Sequence, residues 1–366
     1  MSCLTEVGLT DGKQKIDRRH KLKSLRCPKC FNSALDETDD CVSCLYCNEI
    51  FPKLTSNVID MLQHRDRLSD IKHDIQDFWT DLYQQWYQQF DEEITEKTIL
   101  QHLDEMEVVF NHRSLLPVIE LKKAEINGKN ILEIGCGGGG HSLYFKRYGA
   151  AVTAVDITPE RIISAAKKLR LLHSKCPEMC YLADAENLPF EDSTFDIVYS
   201  NGVLHHSESV EKCMSEVHRV LKKEGDAVIM LYSRHSSQFW LNLLPKSILT
   251  GLFFCKKEKY WLGILTEGKP KNNTVSNPLT RVYSKVEILR LFEKFHITSM
   301  RKNGFLFSQL PYLNRPRSFI LKRLGKKALP GGTILYGSPF LAETNLERKL
   351  GKYIGWSWNI RAKKQC

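Results

Sequence analysis

Lys129-Asn-Ile-Leu-Glu-Ile-Gly135-Cys-Gly137-Gly-Gly139-Gly140 is an apolar run that passes straight into a glycine turn. A short apolar run bounded by glycine reads as a buried strand, and glycines let the next turn bring its backbone close to a ligand. The residues that follow read as a helix, whose first amides would face the same ligand. Asp156 stands 21 residues beyond Gly135, at the end of a second apolar run, Ala151-Val-Thr-Ala-Val155. A carboxylate at that place accepts both hydroxyls of a ribose. A plain tight turn explains a glycine run alone. Strand, glycine turn, helix and acid in this order point to nucleotide-type binding.

The alternation continues outward. Thr158-Pro159 places an N-cap before a proline at the first helical position and opens a helix through Leu172. Phe195-Asp-Ile-Val-Tyr199 and Asp226-Ala-Val-Ile-Met-Leu231 are two further strands. Strands alternating with helices imply crossover units and a parallel sheet. After Tyr232 the alternation stops for about fifty residues, which reads as an insertion over the sheet. Ser284-Lys-Val-Glu287 is a capping box, and Ile288, Leu291, Phe292 and Phe295 give the following helix its buried face. Tyr353 to Ile360 puts Ile354, Trp356, Trp358 and Ile360 on one side of a last strand.

The glycines alone leave two nucleotides open. Gly135-x-Gly137-x-x-Gly140 satisfies the dinucleotide fingerprint, and Glu133-x-Gly135-x-Gly137-x-Gly139 the pattern of S-adenosylmethionine enzymes. Two more stretches decide: Asp184-Ala-Glu-Asn-Leu-Pro-Phe190 leading to Phe195 through His206, and Val217-His-Arg-Val-Leu-Lys-Lys-Glu-Gly225. With these motifs in order across residues 129–232, the chain resembles the class I S-adenosylmethionine-dependent methyltransferases, in the large group akin to the ubiquinone and menaquinone biosynthesis enzymes. The resemblance implies an α/β, Rossmann-like seven-stranded sheet with helices on both faces. It assigns Gly135, Cys136, Gly137 and Gly139 to the methionine and ribose portion of the cofactor, with Glu133 supporting the loop. Asp156 would hold the ribose hydroxyls and Ile157 the adenine face. Asp184 and Ala185 would meet the adenine edge, and Ser200 and Asn201 would line the fourth strand's end.

Methyl transfer needs alignment above all, and a base only where the acceptor loses a proton. His205 and His206 follow the fourth strand and are the candidate bases. The alternative is that the pair caps the strand and packs in the core. Tyr199 and His141 are weaker candidates. No Asn-Pro-Pro-Tyr motif is present, which disfavours an exocyclic base amine as acceptor.

Five of the twelve cysteines fall between Cys27 and Cys47. Cys27-Pro-Lys-Cys30 and Cys44-Leu-Tyr-Cys47, 13 residues apart, suit a zinc ribbon, a closed structural Zn(2+) site of four thiolates. Cys41 keeps the same spacing to Cys44 and stands as a spare ligand. The block also resembles the ribbon modules that precede or activate some methyltransferases, down to Ile50-Phe-Pro52 and Val58-Ile-Asp-Met-Leu62.

A chain of 366 residues with 42% hydrophobic and 26% charged residues is a globular protein of two or three domains, neither disordered nor fibrous. The parts are a flexible N-terminus (1–24), the ribbon (25–62), a helical linker or cap (63–125), the cofactor-binding core (126–232), an inserted cap (233–283) and a C-terminal part with a basic segment (284–366). No secretory or spanning segment is evident, which points to the cytoplasm. The apolar insertion and the aromatics at 78–90 suggest a small-molecule or lipid-like acceptor, methylated at oxygen or carbon. Residues 312–366 carry twelve Lys and Arg against Glu343 and Glu347, and so hold the whole net charge of +10. This basic segment suits peripheral contact with a membrane surface or, less well, RNA. An RNA methyltransferase and a cofactor-binding protein without catalysis are the rival readings. Oligomeric state is not legible.

Overall fold

The structure, a computed structural model, describes residues 24–62, 68–113, 116–172, 179–267, 276–329 and 341–365. The expected N-terminal segment 1–24 lies outside the described residues except for Ser24. Strands β1 to β11 are Leu35–Glu37, Cys41–Cys44, Ile50–Thr55, Val58–Asp60, Asn130–Ile134, Ala151–Asp156, Cys180–Leu182, Phe195–Asn201, Leu221–Tyr232, Phe295–Asn303 and Ser357–Lys364. They form one sheet in the order β1-β2-β3-β4-β7-β6-β5-β8-β9-β11-β10.

Seven of them, β7-β6-β5-β8-β9-β11-β10, make the expected open sheet. Strands β5 to β9 are mutually parallel, and β11 runs antiparallel between β9 and β10. The chain starts at the centre with β5, moves outward through β6 and β7, then returns to β8 on the other side. Such a reversal opens a crevice at the carboxyl ends of the strands. Side chains alternate between two apolar layers, as strand geometry requires. Ile131, Val152 and Ile197 pack with Phe110 of helix α2 (Glu96–Arg113), Leu143 and Phe145 of α3 (Gly140–Arg147) and Ile162 of α4 (Pro159–Leu172). Leu132, Val155 and Val198 face the other way, onto Val210, Met214 and Val217 of α5 (Val210–Val220).

The segment read as a ribbon, residues 25–62, is joined to this sheet. Strand β4 pairs in parallel with β7, and β3 turns back antiparallel to β4. Val58 and Ile59 are fully buried, one in each layer, so β4 behaves as an interior strand. Below it, Arg26 N donates to Pro189 O at 3.1 Å and Asn187 Nδ2 to Pro28 O at 2.9 Å.

Two local readings change. The helix capped by Ser284 spans Lys285–Leu291, and Phe295 begins β10 instead of continuing the helical face. Ile354 closes a helix, Asn345–Ile354, and β11 starts only at Ser357. Between them Gly355 passes so close to Asn303 that a Cβ would sit 2.2 Å from its carbonyl oxygen. The last strand still buries Trp358, Ile360 and Ala362 on one face. Among the described residues no helix is long and apolar enough to cross a membrane.

Candidate functional site

The glycine turn supplies the floor. Gly135, Gly137 and Gly139 all have positive φ, at 70°, 53° and 81°. A Cβ at Gly135 would lie 2.4 Å from Val203, and one at Gly139 2.9 Å from Ala165 of α4, so at both places only glycine fits. Above the turn lies a cavity of about 410 Å³ at the carboxyl ends of β5, β6, β7 and β8. That volume is within the range of small-ligand sites.

Gly135, Cys136, Gly137, Asp156, Ile157, Asp184, Ala185, Asn201 and His206 line this cavity. Four other residues singled out from the sequence lie behind it. Glu133 is buried beneath the turn, accepts the Ser142 hydroxyl, and has an oxygen 3.6 Å from His141 Nδ1. Gly139 packs on α4. Ser200 donates to Ile134 O at 3.0 Å. His205 is fully buried against the Tyr232 ring, 3.8 Å between centroids, with neither ring nitrogen hydrogen-bonded. Burial, with His206 beside it, holds the His205 imidazole well below its ordinary pKa.

Asp156 accepts Gly137 N at 2.8 Å and Thr158 N at 2.9 Å. A carboxylate offers about four acceptor positions, so two remain for ligand hydroxyls. Asn201 Oδ1 is buried without a hydrogen-bond partner, an acceptor that awaits a donor from the cavity. These features fit S-adenosylmethionine.

Helix α1 (Asp70–Trp86) roofs the site. Its start is set by Ser69, which accepts Lys72 N at 3.3 Å. Lys72 reaches Asp184 at 2.6 Å and Glu186 at 3.2 Å. Burial alone would lower its ammonium, but the two carboxylates hold it above the ordinary value. Gln76 Nε2 donates to Ile157 O at 2.7 Å and the Thr80 hydroxyl to Glu160 at 2.8 Å. The Arg161 guanidinium lies over the Trp79 ring at 4.8 Å. Of the expected aromatic cluster, Trp79, Tyr83 and Tyr87 line the cavity, while Phe78 is core and Trp86 is about half exposed.

His206 has one nitrogen in the core and one toward the cavity. Its Nδ1 lies 3.1 Å from Leu279 O, 3.0 Å from Thr280 Oγ1 and 3.1 Å from Asn277 Nδ2. The Leu279 carbonyl calls for a proton on Nδ1 and the Asn277 amide, which donates, for a lone pair there; the tautomer with the proton on Nδ1 leaves Nε2 basic. Nε2 has no hydrogen-bond partner and lies 3.7 Å from Glu267 Oε1. Tyr232 donates its hydroxyl to that same oxygen at 2.8 Å. Burial lowers the His206 pKa, with Glu267 and the Leu279 carbonyl opposing the shift.

Tyr232 ends a parallel strand, so the rule about strand ends marks it out. Glu267 had no signal in the sequence, since it comes from the insertion. Among the described residues the insertion touches the cavity through this one; the apolar run 239–254 does not line it.

At the ribbon, the Sγ atoms of Cys27, Cys30, Cys44 and Cys47 lie within 4.8 Å of one another. Cys27 and Cys47 are 3.6 Å apart and Cys30 and Cys44 3.5 Å apart. Tetrahedral zinc with 2.3 Å bonds needs about 3.8 Å between sulfurs, so the set fits that metal. Cys41 stands outside it, with its sulfur 3.3 Å from Thr38 Oγ1.

Residues 132–229 match the family model of a methyltransferase domain. An uncharacterized methyltransferase of Synechocystis sp. is 33% identical over 143 residues, 38% of this chain and 62% of that protein. A sterol 4-C-methyltransferase of Caenorhabditis elegans is 36% identical over 27% of this chain and 29% of its own. A phthiotriol/phenolphthiotriol dimycocerosates methyltransferase of Mycobacterium tuberculosis is 34% identical over 28% and 37%. The chain thus spans between 29% and 62% of the length of these relatives. Among solved structures, the YcgJ protein of Bacillus subtilis aligns over 69% of this chain and 98% of its own, at 19% identity and a TM-score of 0.41.

Proposed function

We propose that this methyltransferase domain transfers a methyl group from S-adenosylmethionine to a small or lipid-like acceptor, at oxygen or carbon. The observation that carries the reading is a single cavity that joins the glycine turn and Asp156 to His206, Glu267 and Tyr232. When bound, S-adenosylmethionine would supply an electrophilic methyl group. Gly135, Gly137, Asp156, Ile157, Asp184 and Asn201 would hold it, and α1 would keep water out. His206 is kept neutral by burial and presents Nε2 to take a proton from a hydroxyl or an acidic carbon. Glu267, held by the Tyr232 hydroxyl, stabilises the ring once protonated. Ile75, Trp79, Leu82 and Met230 give the acceptor side an apolar wall. The sterol and phthiotriol enzymes among the relatives favour the same acceptor class.

The four thiolates would hold a structural zinc and brace the sheet, in a reducing compartment such as the cytoplasm. Exposed Phe319 and Ile320 beside Arg315, Lys322 and Arg323 support peripheral contact of the basic segment with a membrane surface. The RNA reading rests on the zinc ribbon and that same segment, but no described residue of 25–62 or 312–365 lines the cavity.

The test is incubation of the full chain and radiolabelled S-adenosylmethionine with separated lipid, small-molecule and RNA fractions. Label in the lipid or small-molecule fraction is the expected result. Label confined to RNA would establish the rival reading, and no label anywhere would sink methyl transfer.

A further inference from the structure

The insertion carries a second surface that the cavity does not use. From Gln238 to Lys257 the chain contains no acid and three lysines. Its short helical turns, Phe239–Leu243, Leu244–Leu249 and Leu252–Cys255, bury Phe239 and Leu243 against Trp261, Leu262 and Val282. The opposite side leaves Trp240, Leu241, Ile248, Leu249, Phe253 and Phe254 exposed, Leu249 by 87% and Phe254 by 75%. Six large apolar side chains left exposed within residues 240–254 mark an interaction site.

Lys246, Lys256 and Lys257 are exposed among them. The next acid along the chain, Glu258, is already held by both Arg234 nitrogens at 2.7 and 2.8 Å. Lys257 and Lys259 continue into a neighbouring cleft of about 530 Å³ that holds five basic and three acidic side chains. The surface is therefore apolar with a cationic border.

That border decides the partner. From Gln238 to Lys257 that border carries lysines and no acid, so its charge complements an anionic partner. An anionic bilayer suits both parts: apolar side chains enter the acyl boundary, ammonium groups meet the headgroups, and tryptophan settles between them. We propose that residues 240–257 are a docking face for an anionic lipid bilayer. Helix α6 (Glu258–Thr266) starts at this face and leads to Glu267 in the cavity. Nine residues at 1.5 Å each span about 13 Å, so docking sets the cavity wall close to the lipid. The inference stands apart from methyl transfer, because binding to lipid needs no turnover.

The full chain is floated with vesicles of equal phosphatidylcholine and phosphatidylglycerol, and with phosphatidylcholine alone. It should rise with the anionic vesicles only. Leu249→Ser/Phe254→Ser should cut the bound fraction at least tenfold. Lys256→Glu/Lys257→Glu should weaken binding and flatten its salt dependence. Melting temperature and affinity for S-adenosylhomocysteine should be unchanged in both, since all four side chains are exposed and outside the cavity. Equal flotation of the variants and the parent would overturn the proposal. So would loss only on Phe319→Ser/Ile320→Ser, or a dimer on size exclusion that Leu249→Ser/Phe254→Ser dissolves while no vesicle binding occurs.

Discussion

In the proposed mechanism His206, with its proton on Nδ1 and a lone pair on Nε2, is a base whose strength depends on Glu267. The neutral ring is the active form, so the rate falls as pH drops through the His206 pKa. Burial places that acid limb below the ordinary imidazole range. Glu267 pulls in the opposite direction, so Glu267→Gln should move the limb to still lower pH in a kcat profile; a limb that stays put would remove the carboxylate from this role. His206→Ala should lower kcat about a hundredfold or more. Asp156→Ala should weaken S-adenosylhomocysteine binding at least tenfold by calorimetry, and unchanged affinity would refute the ribose assignment. His206 was legible because it follows a strand end. Glu267 was not, because it comes from a segment with no period to read. His205 shows the converse limit: adjacency in sequence placed it beside the site, and the turn after β8 sends its ring into the core.

Among the elements, the ribbon and the glycine turn are local devices whose spacing states their geometry. Purified protein should contain about one zinc per chain, measured by metal analysis and lost on Cys27→Ser; a folded protein without metal would dismiss the ribbon. Helix α1 is the opposite case. Its apolar face announces burial but not what it covers, and Lys72 and Trp79 gain their meaning only from contacts with Asp184 and Glu186 beyond β7 and with Arg161 of α4. The short helix after α1, Gln88–Glu92, is locked to α4 by a buried pair. Lys168 of α4 lies 2.6 Å from Asp91 and donates to Gly138 O at 2.9 Å, tying the roof to the glycine turn. Removing one partner leaves the other charge stranded, and such losses cost about 3–5 kcal/mol. Asp91→Asn should show that cost in urea unfolding, with a much smaller loss for Asp91→Leu/Lys168→Met.

For the whole molecule, His205 and His206 act together in pH stability. Both are neutral in the folded chain, and burial lowers both pKa values. Above pH of about 6.5 neither state binds the proton, and the full stability is present. As pH falls below that value the unfolded chain takes up protons first, so stability declines by about 1.4 kcal/mol per pH unit for each histidine until its folded pKa is reached. His205→Phe should lose one proton's worth of that slope in urea midpoints between pH 7 and 5. Strands β5, β6, β8, β9 and β11 were legible as apolar runs and the resemblance implied seven strands, but β7 and β10 were not read as strands. The attachment of the ribbon could not be expected, because β4 and β7 have three residues each and lie 120 residues apart. That attachment makes the ribbon a selvedge, the finished border of a woven cloth. A fragment that begins at residue 68 would leave β7 with bare amides and carbonyls along its outer side, next to the wall that carries Asp184. Light scattering should find it prone to self-association where the full chain is not. The half of this protein that carries the glycine turn is therefore not a portable part.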